Sequence, residues 1–255
     1  MDLIKSSDSK YTEYENLLLE RDQVSKEAGQ IWTAYLQMFG KLISDNYEEK
    51  LACIKCKKTI AYYQSALNHG GVVDAAAMEQ YLTQEMAEYY ANLRRMLKEN
   101  EAANKAGTST PYEVERAKTL YRRLAKRIHP DINPETDRSE ELLELWNRIV
   151  TAYHHNDVKE LSELEVLVRK ALGSEDVTVE IPDIEEKIDE VKAEIDQIIH
   201  TEPYALKYLV EDEAAAEAKK SDLQTELESY QKYHNELNAV ILQMLQGGGL
   251  EIYVQ

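Results

Sequence analysis

Apolar residues recur at helical spacing along most of the chain. In the amino-terminal third they step by four and three residues, the spacing of one face of an α-helix. This stripe consists of Ile31, Tyr35, Met38 and Leu42. A second helix is predicted from the Cys53 region to Leu67, and a third begins after the N-cap Asp74 and ends near Gly107. We therefore expect an amino-terminal helical hairpin or small bundle over residues 1–106.

The next helix has well-marked boundaries. Thr110 can cap its start, Pro111 suits the first turn, and Glu113 lies three residues after the cap, which completes a capping box. The helix must end near His129, because Pro130 lacks a backbone N–H and disfavours a helical residue before it. The sequence thus predicts a helix that begins at Thr110 and ends at a rigid turn.

A partner helix follows this turn, with a cap at Asp137 or Ser139. Its apolar positions are Leu142, Leu145, Trp146, Ile149 and Tyr153. The apolar positions of the preceding helix are Val114, Ala117, Leu120, Tyr121, Leu124 and Ile128. We expect these two stripes to pack against each other.

The last third of the chain shows one pattern twice. A capping box is predicted at Asp183 and Glu186, and apolar residues follow at heptad-like spacing. Pro203 interrupts this spacing, which resumes at Leu223. Two stripes separated by a break predict an antiparallel coiled-coil hairpin over residues 173–255. A homodimer is a second arrangement that the same stripes allow.

Short alternating stretches flank the predicted hairpin. They are Val177, Val179 and Ile181 before it, and Leu250, Ile252 and Val254 after it. Because a hairpin returns the chain to its starting point, we expect these stretches to form a small antiparallel strand pair.

The composition agrees with a helical protein and limits its partners. Only 9 Gly and 5 Pro occur in 255 residues, and 43 % of the residues are hydrophobic, which favours an all-α fold with a buried core. The formal net charge of -18 argues against binding to nucleic acid or to a membrane, since both require a cationic surface. The sequence shows neither a signal peptide nor a long apolar run, so we expect a cytoplasmic protein.

One helix is strongly basic, whereas the chain as a whole is acidic. Its six cations are Arg116, Lys118, Arg122, Arg123, Lys126 and Arg127. The helix leads into His129-Pro130-Asp131, and such a cationic surface is expected to bind an acidic partner. One alternative is a solvated helix face that ends in an ordinary turn. Another is DNA or RNA binding by the same cations, which the acidic remainder of the chain disfavours.

The segment Tyr-Arg-Arg-Leu-Ala-Lys-Arg-Ile-His-Pro-Asp, residues 121–131, resembles the second helix of a J domain running into its His-Pro-Asp loop. Downstream, Trp146-x-x-Ile149-x-x-Ala152-Tyr153 is similar to the third helix of the same domain. The likeness to the DnaJ-like co-chaperones covers about residues 112–156 and implies a J-like domain over residues 107–172.

The resemblance also implies a partner and a mechanism. His129, Pro130 and Asp131 would dock on a DnaK-type chaperone where its ATPase domain meets its linker and substrate domain, and Asp131 would engage an arginine of the partner. The residues implied to lie on an acidic groove of the partner are Lys118, Arg122, Arg123, Lys126 and Arg127. The chain would then stimulate ATP hydrolysis by the partner, through an interface that weakens with salt.

The sequence departs from the J-domain pattern in several places. The usual first helix is not evident, and the stretch Tyr89–Leu93 is the predicted substitute. Acidic residues from Asp157 to Glu165 occupy the position of a basic fourth helix. Because the sequence has neither a Gly/Phe-rich linker nor zinc repeats, clients are expected to be held by the flanking helices. The alternative function is a structural coiled-coil scaffold or adaptor whose J-like segment no longer activates a chaperone.

No residue pattern indicates chemistry within the chain. The sequence has no nucleophile–base pair, no phosphate-binding glycine loop and no metal cluster, so we expect neither an enzyme nor a cofactor. Cys53 and Cys56 form a CxxC pair without further ligands for zinc and without the preceding strand of a thioredoxin-like site. They are interpreted as structural cysteines.

Overall fold

The structure is a computed structural model that describes residues 2–107, 109–172 and 183–253. The described residues form α1 (Asp2–Asn68), β1 (Val72–Asp74), α2 (Ala75–Lys105), α3 (Pro111–Ile128), α4 (Glu135–Arg138), α5 (Glu140–His154), α6 (Val158–Leu172), α7 (Ile184–His200), a 3₁₀ turn (Tyr204–Leu206), α8 (Lys207–Glu211), α9 (Glu213–Gln246) and β2 (Glu251–Tyr253). The predicted all-α class is confirmed. None of these helices combines the length and the apolar character needed to cross a lipid bilayer.

The first helix, α1, is continuous where the sequence predicted two separate helices. Ser44 and Asn46 are polar residues of a kind common in loops, but here their side chains form hydrogen bonds with the helix backbone. Ser44 Oγ donates to the carbonyl of Gly40, and Asn46 Nδ2 donates to the carbonyl of Leu42. The amide of Asn100 on α2 also donates to the Gly40 carbonyl, at 2.7 Å. A Cβ atom at position 40 would overlap the Asn100 side chain, so the glycine permits close packing rather than a break.

The chain forms two compact units. The first contains Met1–Gln30 and Gly107–Ala205, and the second contains Ile31–Ala106 and Leu206–Gln255. The boundary between the units therefore falls within α1. The three consecutive regions predicted from the sequence do not coincide with these units, because the amino-terminal region is divided between them.

The core of the first unit joins α3, α5 and α6. Its fully buried side chains include Leu124, Ile128, Ile149, Leu161 and Leu164. The predicted packing of the α3 stripe on the α5 stripe is thus confirmed. Leu19 of α1 packs into the same core, which places the amino-terminal helix against the J-like segment.

The predicted coiled-coil stripes of α7 and α9 each have α1 as their partner. In the first unit, Ile188, Val191 and Ile195 of α7 pack with Tyr14 and Leu18 of α1. The pairs Lys192–Glu13 and Glu194–Arg21 show that α7 runs parallel to α1. The expected antiparallel hairpin between α7 and α9 is therefore wrong. With 67 residues, α1 offers each of these helices a longer apolar surface than they offer each other.

In the second unit, α9 likewise runs parallel to α1. Asn46 Nδ2 donates to the carbonyl of Leu223, and Cys56 lies 3.5 Å from the Oδ1 atom of Asn238. Cys53 and Cys56 are free, buried thiols that pack with Leu237, and burial raises the pKa of both. This packing agrees with their interpretation as structural cysteines.

The strand pair differs from the prediction in its partner and direction. Strand β2 lies within the predicted stretch after α9, but it pairs with β1 in parallel, with Val73 opposite Ile252. Because α1 and α9 run in the same direction, the strands that follow them leave in the same direction as well. The predicted partner strand, Val177–Ile181, lies outside the described residues.

The start of α7 also differs from the prediction. Asp183 has a left-handed backbone conformation, with φ 55 and ψ 37, and its side chain makes no capping hydrogen bond. A capping box requires an extended backbone at the cap, so the predicted box with Glu186 does not form.

Candidate functional site

The candidate site is built on α3, and the start of α3 follows the sequence prediction closely. The hydroxyl of Thr110 accepts a hydrogen bond from the backbone N–H of Glu113, at 3.2 Å. In return, the Glu113 carboxylate accepts the backbone N–H of Thr110 at 2.7 Å and its hydroxyl at 2.8 Å, and these two bonds lower the pKa of Glu113. The predicted capping box is confirmed, and it fixes where α3 begins.

The buried side of α3 is held by aromatic packing. The Tyr121 ring stacks on Tyr153 of α5 with a centroid distance of 4.0 Å. The ring of His129, at the end of α3, meets the ring of Trp146 edge-on at 4.6 Å. The downstream aromatic positions identified in the sequence therefore support the end of the basic helix.

The corner at His129, Pro130 and Asp131 is rigidly bonded. The backbone N–H groups of Ile132 and Asn133 both donate to the carbonyl of His129, at 2.9 and 2.7 Å. The Nδ1 atom of His129 accepts the backbone N–H of Asp131 at 3.1 Å. His129 is only 3 % exposed, whereas the side chain of Asp131 remains 43 % exposed. The corner thus presents the Asp131 carboxylate at the surface, while the adjoining His129 is buried.

A stretch of α1 contacts this corner. The guanidinium of Arg21 lies 3.5 Å from Oδ2 of Asp131 and 3.3 Å from Nε2 of His129. The same guanidinium lies 3.1 Å from Oδ1 of Asp22 and 3.3 Å from Oε2 of Glu194 on α7. Arg21 is therefore the cation at the centre of three carboxylates.

The neighbouring Asp22 ties α1 to α3. Its carboxylate accepts the Tyr121 hydroxyl at 2.6 Å and lies 3.6 Å from Nε2 of His129. Burial raises the pKa of Asp22, but the polar contact with His129, the hydrogen bond from Tyr121 and the charge of Arg21 outweigh it and hold that pKa below its ordinary value. Burial and the Asp22 charge both raise the pKa of Tyr121.

A buried lysine completes the contact between α1 and α5. Lys26 donates to Oδ1 of Asn156 and lies 3.7 Å from the centre of the Tyr153 ring, a cation–π geometry. Burial and the nearby charge of Lys118 lower the pKa of Lys26 to about 8. These contacts position the C-terminal end of α5.

The predicted cations divide into paired and unpaired groups. Arg123 lies 3.3 Å from Glu165 of α6, and Lys126 lies 3.1 Å from Glu15 of α1. The others are Arg116, Lys118, Arg122 and Arg127, which have no ion-pair partner among the described residues. Arg122, Arg123 and Lys126 are exposed, and Lys118 and Arg127 are half-buried.

Sequence reasoning found α3 and its corner but missed the contribution of α1. The predicted substitute for a first J-domain helix, Tyr89–Leu93, lies on α2 in the second unit, where Leu93 packs with Leu51 and Met86. The core of the J-like segment is instead contacted by Leu19, which lies on an apolar face of α1 next to Arg21. No local motif marks that stretch of α1, since its partners lie about a hundred positions away.

Comparison of the chain with family models, with curated proteins and with solved structures gave no match. Among residues 2–107, 109–172 and 183–253, no group of three or more His, Cys, Asp or Glu side chains is placed to hold a metal ion.

Proposed function

We propose that the chain is a co-chaperone that binds a DnaK-type chaperone and stimulates its ATP hydrolysis. The observation that carries the proposal is the corner at residues 129–131: a surface carboxylate, Asp131, at the end of a basic helix whose other face is locked into a core. The chain itself performs no chemistry, and it acts by favouring one state of its partner.

The charges on α3 support this partner. Exposed cations at Arg122, Arg123 and Lys126 lie on the same helix that leads to Asp131, within a chain whose formal net charge is -18. A locally cationic surface on an acidic protein selects an acidic groove and speeds the encounter with it. The same acidic remainder disfavours nucleic acid. In this proposal clients are held by helices outside α3–α6, and the chain acts in the cytoplasm.

The test is the steady-state ATPase rate of a DnaK-type chaperone with and without the full chain, at low salt. We expect stimulation by the intact chain and a return to the basal rate with Asp131→Asn, because that change removes the surface carboxylate and keeps its size. The matched control is Asp137→Asn, which makes the same change at an exposed carboxylate of the adjacent α4. Equal stimulation by Asp131→Asn and the intact chain would refute the proposal.

The second candidate is a structural scaffold whose J-like segment does not activate a chaperone. The observation that favours it is the burial of His129 against Trp146. On this hypothesis the intact chain leaves the ATPase rate at its basal value even at low salt, while Asp131→Asn leaves the helical content unchanged. His129→Gln would instead lower the melting temperature, because it removes a ring from the core.

A further inference from the structure

The surface that the proposed partner needs is already occupied from within the chain. Arg21 of α1 contacts Asp131 and His129, the two outer residues of the corner, at 3.5 and 3.3 Å. The Arg21 side chain is 22 % exposed, so this contact is partly open to solvent. All three residues belong to the first compact unit.

The same stretch of α1 also contacts the basic face of α3. Glu15, whose side chain is 12 % exposed, lies 3.1 Å from the ammonium of Lys126. Two residues of α1 therefore provide both charges that complement the site: a carboxylate against the cationic helix and a guanidinium against the corner carboxylate. A partner that binds through these features must displace α1 from both or bind around it.

The contact is of a kind that a partner can displace. Partly exposed ion pairs contribute little to stability, and the 3.5 Å separation between Arg21 and Asp131 is long for such a pair. The Asp22–Tyr121 hydrogen bond and the packing of Leu19 hold α1 in place independently of Arg21. Arg21 can thus release Asp131 without detaching α1 from the core.

Charge explains why Arg21 controls the position of the corner. The guanidinium lies among the carboxylates of Asp22, Asp131 and Glu194. Without this cation, three like charges face one another across a small space, and Asp131, which lies on the loop and not on a helix as Asp22 and Glu194 do, is free to move away. Loss of Arg21 is expected to open the corner rather than to leave it in place.

We infer that Glu15 and Arg21 form a cis-inhibitory latch: a chain-internal contact that pairs with Lys126 of the basic face and with Asp131 of the corner until a chaperone displaces it. The inference rests on the proposed function. It predicts that the intact chain is a weak activator and that opening the latch makes it a stronger one.

The experiment compares two matched variants of the full chain. Arg21→Gln removes the charge of the latch but keeps a hydrogen-bonding side chain. Lys192→Gln makes the same kind of change in an α7 cation that pairs with Glu13 of α1 at 2.8 Å and does not contact the corner. Glu15→Gln opens the other half of the latch without disturbing the three carboxylates, which keeps the test decisive if Arg21→Gln folds poorly.

The first measurement is hydrogen–deuterium exchange at residues 131–133, whose amides bond within the corner. We expect faster exchange there in Arg21→Gln than in Lys192→Gln and the intact chain. Equal exchange in all three proteins would overturn the latch, whatever the ATPase rates show.

The second measurement is the concentration of chain that gives half-maximal stimulation of a DnaK-type ATPase. We expect this concentration to fall by about two- to fivefold in Arg21→Gln, the range for one partly exposed ion pair. Addition of Asp131→Asn to Arg21→Gln should abolish stimulation. Faster exchange in Arg21→Gln with equal stimulation by the intact chain, Lys192→Gln and Arg21→Gln would overturn the inhibition and leave the proposed function intact. Faster exchange without stimulation by any form would overturn the proposed function, and the inhibition with it.

Discussion

At the scale of single residues, the surroundings of Asp22 determine its pKa and, through it, how the stability of the protein depends on pH. Its carboxylate is largely buried and accepts the Tyr121 hydroxyl at 2.6 Å beside His129 and Arg21. These contacts favour the charged carboxylate over the protonated one, and the pKa of Asp22 is lowered although burial alone raises it. The charged form is therefore a source of stability.

The change Asp22→Asn is expected to destabilise the first unit by about 1–3 kcal/mol at neutral pH, the range for a hydrogen bond to a charged group. An acid whose pKa is lower in the folded protein stabilises it above the unfolded pKa, which is about 3.9 for Asp. That stability is lost as the pH falls through the lower folded value. The difference between the two proteins should thus be constant above about pH 5 and shrink below about pH 4.

Urea unfolding measures this difference. A Trp32→Phe background leaves Trp146, which packs on His129, as the only tryptophan, so its fluorescence reports the first unit. Asp189→Asn, at an exposed position of α7, serves as the control and should alter the free energy of unfolding by less than about 0.5 kcal/mol. An undiminished effect of Asp22→Asn at pH 3 would contradict the assignment of a lowered pKa.

The residues of the site differ in how well the sequence revealed them. His129, Pro130 and Asp131 are adjacent, so a local motif was enough to predict their place at the end of a basic helix. Arg21 was not predicted, because its role depends on packing that brings α1 against α3. An arginine followed by an aspartate on a charged helix is by itself typical of a solvated face.

At the scale of elements, helix starts were predicted well where the cap is local. Thr110, Ser139 and Asp74 each cap a helix with a side-chain bond to a backbone N–H two or three residues ahead. Such bonds involve only neighbours in the sequence, so the pattern alone predicts them. The predicted cap at Asp183 does not form, because the backbone of this residue is left-handed. The capping pattern records which side chains are present and does not specify this backbone conformation.

The change Thr110→Ala is expected to destabilise the first unit by about 1 kcal/mol, because it removes one of the reciprocal bonds of the capping box. Thr119→Ala, on an exposed turn of the same helix, is the matched control and should change stability by less than about 0.5 kcal/mol. Urea unfolding in the same tryptophan background compares them. Equal effects would show that the cap contributes nothing beyond side-chain packing.

The pairing of the helices was predicted less well than their existence. Amphipathic spacing predicted the stripes of α7 and α9, but it does not specify which other stripe each one meets. The long α1 has apolar positions in both units, and it takes both helices as parallel neighbours. Which helix packs on which depends on contacts between segments that are distant in the sequence. Neither the apolar periodicity nor the capping residues specify these contacts.

At the scale of the whole molecule, the described residues form two compact units that share helix α1. The core of the first unit contains Leu124 of α3, and a core of the second unit contains Phe39 of α1. Both side chains are almost completely buried, at 1 % and 0 % exposure. Apart from the shared α1, each of these cores is formed by helices of its own unit, so each unit has the means to unfold cooperatively on its own.

Differential scanning calorimetry should therefore show two transitions. Leu124→Ala should cost about 2–5 kcal/mol and lower the transition of the first unit by several degrees, because it leaves a cavity among α3, α5 and α6. Phe39→Ala should cost about 3–5 kcal/mol and lower the other transition. Leu143→Ala, at a half-exposed position of α5, should move neither by more than about a degree. A single transition that both core variants lower equally would instead show that the uninterrupted α1 couples the two cores into one cooperative unit.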